Sequence, residues 1–230
     1  MKTESQQIIR ELIESFQQFS DEANQKYMEA YMKDRFSFFG IKSPLRKELS
    51  KPFTSQGGNF PLSEKIEIVR HLFKQPQREL DYVAMEFLEK GYKKQCTIND
   101  IVWIEELLLT NSWWDSVDFI APKIAGVYFL KYPEKRKPIT DKWIKSGELW
   151  LIRSALIFQL KYKDKTDLDL LFSIIERTRH TKEFFINKAI GWMLRENSKR
   201  IPEIIEDYID ENREFLAPLS IKEGLRIIYK

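Results

Sequence analysis

The stretch LWLIRSALIFQL, Leu149 to Leu160, decides the fold. Its apolar residues follow helical rather than alternating spacing, a small residue (Ala155) stands at its centre, and Arg153 is its only charge. The same kind of segment recurs along the chain. Ala84 is central in DYVAMEFL, Ala121 in DFIAPKIAG, Ala189 in FFINKAIGWML and Gly224 in IKEGLRII, at successive intervals of 37, 34, 34 and 35 residues. A helix-pair unit at this period, somewhat below the ~40–47 residues of typical HEAT and armadillo units, describes an α-solenoid whose inner helices line one side. A non-repeating helical bundle is the plainer alternative.

The rest of the chain agrees with helix. Glycine occurs only eight times in 230 residues, and i, i+3, i+4 apolar spacings run almost throughout. Breaks fall at Phe39–Pro44, Ser55–Pro61, Lys74–Pro76, around Cys96, Thr110–Ser112, Lys131–Pro133, Lys145–Gly147, the KDKTD stretch, Thr178–Thr181 and Asn197–Pro202. They leave about a dozen helices of ordinary length and no convincing strand. The expectation is a single repeat domain over residues 1–230.

Composition bounds the function. Hydrophobic content of 43% with 32% charge is that of an ordinary soluble globular chain. Thirty-eight Lys and Arg against 35 Asp and Glu leave a net charge of +3, so nucleic-acid binding is permitted but requires charge to be segregated on one surface. One cysteine, Cys96, and two histidines, His71 and His180, exclude a disulfide framework and a His/Cys zinc site, so no metal is expected. No signal peptide or apolar run of transmembrane length is present, which points to a cytoplasmic protein.

The densest chemistry lies in SWWDSVD, Ser112 to Asp118. Ser112 and Asp115 match a capping box at a helix start. Trp113, Val117, Ile120 and Ile124 form an i, i+4, i+7, i+11 stripe that belongs in the core. Trp114 and Asp118, four apart, share a different face. Asp118 has Pro122 rather than a cation at i+4, and the proline lacks the N–H that would bond the Asp118 carbonyl, so the helix should bend or break there. A solvated surface aspartate is the plain reading of Asp118 alone. One helix pair later, Arg153 is a guanidinium among apolar neighbours, which calls for a carboxylate or phosphate partner. One further unit on, Trp192 and Arg195 lie three apart on one helix face. If the repeat holds, these residues converge on one surface, and two indoles, a carboxylate and several cations suit a cationic base attached to a phosphodiester backbone.

At this point the sequence is similar to the AlkD-type DNA alkylation repair glycosylases, a HEAT-like repeat family. The resemblance rests on YMKDRFSFFGIKSPLRK (Tyr31 to Lys47), RELDYVAMEFL (Arg78 to Leu88), SWWDSVD, the WLIRSAL segment and AIGWMLRE (Ala189 to Glu196), in the family's order and over nearly the whole chain. It implies a right-handed solenoid with a concave DNA-binding groove. It further implies that Asp118 is the catalytic carboxylate, that Trp114 and Trp192 wall the lesion site with Tyr31 as an N-terminal aromatic of the cleft, and that Arg153 is the companion cation. DNA holding would fall to Arg153 and Arg195, with Lys161, Lys33 and Arg46 as further candidates.

The chemistry the family implies fits these residues. It excises N3- and N7-alkylated purines from duplex DNA, without a cofactor. Alkylation makes the purine a cationic leaving group that needs no general acid, so the absence of a placed histidine fits. What needs stabilising is the positive charge that develops on the deoxyribose, and Asp118 can do that while orienting the attacking water. Stacking of a cationic base on each indole contributes about 0.5–2 kcal/mol. A monomer is the simplest expectation, with double-stranded DNA containing alkylated purines as the partner, no membrane, and a cytoplasmic location that in a prokaryote means the nucleoid. The competing reading is a non-catalytic HEAT-repeat protein that binds DNA structures or serves as an interaction scaffold.

Overall fold

The structure, a computed structural model, describes residues 3–229. Among them lie fourteen α-helices joined by turns, loops and short 3-10 segments, and the sole β feature is an isolated bridge between Ser37 and Gln77. None of these helices is long and apolar enough to cross a membrane. The chain divides into two compact units, Met1–Thr97 and Ile98–Lys230.

The first unit contains α1 (Thr3–Gln18), α2 (Glu22–Tyr31), α3 (Ser43–Thr54), α4 (Leu62–Leu72) and α5 (Arg78–Gln95). Helix α1 is amphipathic and buries Ile9, Leu12 and Phe16 at helical spacing. Helix α2 starts where the Asp21 carboxylate accepts the Asn24 N–H at 3.0 Å, and it buries no residue at all. Three of the first four residues of helix α5, Arg78, Glu79 and Asp81, are charged types, and all three are interior. Glu79 accepts the N–H groups of Phe39, Gly40 and Ile41 at 3.0–3.1 Å, and Arg78 pairs with Asp81 at 2.7 Å while its guanidinium lies over the Phe36 ring. The FSFFGIK loop is therefore tied to the start of α5 by one buried carboxylate, whose own burial pushes its pKa up against those backbone bonds. The RELD and FFGIK segments that carried part of the resemblance thus meet as scaffold. Near its end α5 kinks at Lys90–Gly91, with Gly91 at φ +76°, and the buried Lys65 ammonium of α4 donates to the Lys90 carbonyl exposed by the kink.

The second unit holds α6 (Ile101–Leu109), α7 (Trp114–Ile120), α8 (Gly126–Lys131), α9 (Arg136–Lys145), α10 (Leu149–Ile157), α11 (Leu168–Thr178), α12 (Phe184–Ser198), α13 (Pro202–Glu211) and α14 (Pro218–Leu225). Helices α7, α10, α12 and α14 pack one against the next as a row, with α9, α11 and α13 behind them. The small residues that set the period explain how the row forms. Ala121, Ala155 and Ala189 are fully buried, and a Cβ added at Gly224 would lie 2.8 Å from the Ile209 side chain and 3.1 Å from that of Leu194. The period also appears in the hydrogen bonds between neighbouring units. Lys142 to Glu105, Arg153 to Asp118, Tyr162 to the Gly126 carbonyl, Lys188 to Glu223 and Ser220 to the Asn187 carbonyl span 37, 35, 36, 35 and 33 residues. Behind the row, Phe129 meets Trp143 and Phe158 edge to face at ring centroids 5.6 and 4.7 Å apart. All three rings are fully buried, and each contributes on the order of 1.5–3 kcal/mol of hydrophobic stabilisation.

One local expectation is corrected. Ser112 does not cap α7; its hydroxyl donates to the Leu108 carbonyl at 2.8 Å and so closes the end of α6. The N-cap is Trp113, whose N–H bonds the Ser116 hydroxyl at 3.3 Å, and Asp115 lies in the first turn as the helix dipole favours. The start is displaced by one residue because the Trp113 indole is drawn into the core, 5.5 Å from the Trp150 ring and 5.3 Å from that of Phe185.

Candidate active site

The face of the row gathers around Asp118. The helix that carries it does not end at Pro122. It widens into one π-helical turn, Ala121–Ala125, and resumes as α8. Pro122 cannot donate to the Asp118 carbonyl, and a π turn absorbs the missing bond without stopping the chain. Val117, Ile120 and Ile124 are buried on one side of this helix as their spacing requires, which leaves Trp114 and Asp118 half-buried on another.

Arg153 fixes the Asp118 carboxylate. Its Nε donates to Oδ1 and its Nη2 to Oδ2, both at 2.8 Å, while Nη1 donates to the Phe185 carbonyl at 2.5 Å. One side chain of α10 thereby joins α7 to α12. The Arg153 side chain is 3% exposed and that of Asp118 17%, so the pair opens outward on the carboxylate side only. A two-pronged guanidinium grip of this kind sets orientation as well as charge. Burial pushes the Asp118 carboxyl above the usual aspartate range, the Arg153 hydrogen bonds and charge pull it back down, and Asp115 adds a smaller upward push. Behind the pair, Trp113, Trp150 and Phe185 pack ring against ring at 5.1–5.5 Å, and the Arg153 guanidinium lies 5.9 Å from the centre of the Phe185 ring.

The other expected residues are distributed as follows. Trp192 is half-buried on α12, on the same helix face as Arg195 and Lys188. Tyr31 ends α2 in the first unit with 72% of its surface exposed, and Lys33 just beyond it is exposed in a left-handed backbone conformation. Lys161 is exposed in the second unit. Three of the expected arginines are bonded to other groups of the protein. Arg153 is buried and its donors are committed inside the protein. Arg46 is buried and forks onto Glu86 at 2.9 and 3.2 Å. Arg195 is bonded to Glu223, a residue of α14 that also accepts from Lys188 at 2.7 Å.

Glu223 and the Trp113–Trp150–Phe185 cluster escaped the sequence reading. A signal for Glu223 was present. Asp118 and Arg153 are 35 residues apart, and so are Lys188 and Glu223, so opposite charges one repeat apart on the inner helices mark partners. Among the described residues no group of three or more His, Cys, Asp and Glu side chains is placed to hold a metal ion.

Comparison with known proteins places the chain beside one family and beside solved structures. A family described as DNA alkylation repair enzyme matches residues 12–228. The solved structure of a predicted DNA alkylation repair enzyme from Enterococcus faecalis is similar at a TM-score of 0.83, with 32% sequence identity, over 92% of this chain and 97% of that one. A search of curated proteins finds no match.

Proposed function

Because the chain belongs to the DNA alkylation repair enzyme family, we propose that it is a monofunctional DNA glycosylase that releases cationic N3- and N7-alkylated purines, such as 3-methyladenine and 7-methylguanine, from duplex DNA. The observation that carries the reading is the Asp118–Arg153 pair, a carboxylate oriented in advance, partly desolvated, and still open on one side. As the N-glycosidic bond breaks, the alkylated base leaves as a neutral purine and positive charge develops on the sugar. Asp118, held in place by Arg153, lies ready to stabilise that charge and to orient the water that completes hydrolysis. Preorganisation matters here because no rearrangement is needed at the moment of bond breaking. Trp114 and Trp192 would hold the cationic base by its faces and favour it over a neutral one. With Arg153 and Arg46 occupied internally, the phosphates fall to the more exposed cations, Arg195, Lys188, Lys161 and Lys33.

The test is to incubate the protein with methylated duplex DNA in the presence of a chelator and to measure free 7-methylguanine and 3-methyladenine. Release well above the spontaneous rate supports the proposal. Tight binding without release would instead favour a DNA-binding protein that lacks the chemistry.

A further inference from the structure

The Lys188, Trp192 and Arg195 side chains occupy positions i, i+4 and i+7 of α12, so two cations flank one indole on a single face. Both cations are bonded to the same carboxylate, Glu223 of the next helix in the row. The Glu223 side chain is 11% exposed, whereas those of Lys188 and Arg195 are 38% and 22% exposed. The anion therefore lies beneath the face and the cations reach its surface. The approach is built into the backbone, since a Cβ added at Gly191 would fall 2.6 Å from the Glu223 Cβ and 3.0 Å from the Ser220 carbonyl. Only glycine at 191 lets α14 come close enough for its carboxylate to reach both partners.

We propose that Glu223 is an internal counter-ion that limits how strongly this face holds undamaged DNA, a specificity-determining residue that touches neither base nor phosphate. The inference rests on the reading of this face as the DNA-binding one. A phosphodiester arriving at Lys188 and Arg195 must share them with a carboxylate already bonded to both, so the two cations present about one net positive charge instead of two. The hydrogen bond from Lys188 first, then the charges of Arg195 and Arg226, hold the Glu223 carboxyl below the usual glutamate range, so it keeps its charge throughout neutral pH. Weakened backbone binding lets contacts to a cationic base decide where the protein stays. A glycosylase that gripped every phosphate at full strength would be detained on intact duplex.

The experiment measures binding of the full chain to an unmethylated duplex by fluorescence anisotropy across a salt series, for the natural protein and for Glu223→Gln. The expected result is binding several-fold tighter at low salt, with a log–log salt slope steeper by about 0.9, the value for one more effective phosphate contact. Equal or weaker binding with an unchanged slope would overturn the inference. If Glu223→Gln alone does not fold, the same comparison is made in a Lys188→Met background, where the buried charge is reduced on both sides, and the same gain is expected. Base release from methylated DNA is followed in parallel. A natural protein that releases alkylated bases while Glu223→Gln binds intact duplex no more tightly refutes the counter-ion role alone. A natural protein that binds no DNA at low salt refutes it together with the glycosylase reading.

Discussion

At Asp118, burial and an arginine act on one carboxyl in opposite directions, and the balance predicts a pH dependence. Burial is the larger influence and raises the pKa, and Arg153 lowers it without restoring the ordinary value. The ionised form is the one that can stabilise a developing cation, so the proposed base release should be present above this pKa and lost as pH falls through it. The acid limb of kcat/KM should therefore lie above the ~3.9 of a free aspartate. Arg153→Gln removes the downward pull, so the limb should move further up. The same substitution leaves a carboxylate half-buried without its partner, at a cost of about 3–5 kcal/mol in stability. Single-turnover release measured from pH 5 to 8, beside thermal unfolding, reads both effects. An acid limb that stays in place in Arg153→Gln would show that Arg153 does not tune the carboxylate. Asp118 itself could be singled out in the sequence because it has no cation within one helical turn and a proline at i+4. The part played by Arg153 was harder to read, because a lone guanidinium among apolar neighbours fits a phosphate as well as a carboxylate. Only packing reveals that every prong is already bonded inside the protein.

At the scale of elements, the π turn at Ala121–Ala125 begins three residues after Asp118 and has a nameable cause in Pro122. Pro122→Ala restores the missing donor and allows regular helix through the segment, which would rotate Asp118 relative to Arg153. The fold should tolerate this change, while release falls by about ten- to a hundred-fold, the scale expected for small misplacements of a reacting group. Release at the natural rate by Pro122→Ala would mean that the π turn plays no part in aiming the carboxylate. The kinked α5 gives an independent prediction in the first unit. Burial pushes Lys65 down to about 8 from its ordinary 10.5. Between those values the unfolded chain binds the proton and the folded chain does not, so this group contributes increasing stability as pH rises from 8 to 10.5. That increment should be missing in Lys65→Met, and urea unfolding of both proteins at pH 7.5 and 9.5 checks it. Helix positions and the repeat were legible because helical spacing and central small residues directly reflect close packing between helices. The cap of α7 was displaced by one residue because local capping preferences yielded to burial of an indole, a tertiary effect with no local signature. The buried RELD segment was equally opaque, since consecutive charges in a sequence usually mean a solvated turn.

For the whole molecule, charge decides more than composition suggests. A net +3 is small, and several of the cations are consumed by internal pairs such as Arg46–Glu86, Arg78–Asp81 and Arg153–Asp118. DNA affinity then depends on a modest number of surface lysines and partly paired arginines, and it should weaken steeply with salt. The division at Thr97 coincides with the break noted around Cys96, but a turn between repeats and a boundary between units look alike when only the residues of the turn are read. Charge pairing across repeats was likewise invisible until the period could be used as a ruler. The account stands on Asp118 acting as a carboxylate, and one measurement reaches that directly: single-turnover release of 7-methylguanine from methylated duplex by Asp118→Asn beside the natural protein, with binding to the same duplex measured in parallel. The expected result is binding within about twofold and release slower by at least about a hundredfold, the scale of losing a preorganised charge at the reacting centre. Release by Asp118→Asn at the natural rate would contradict the account.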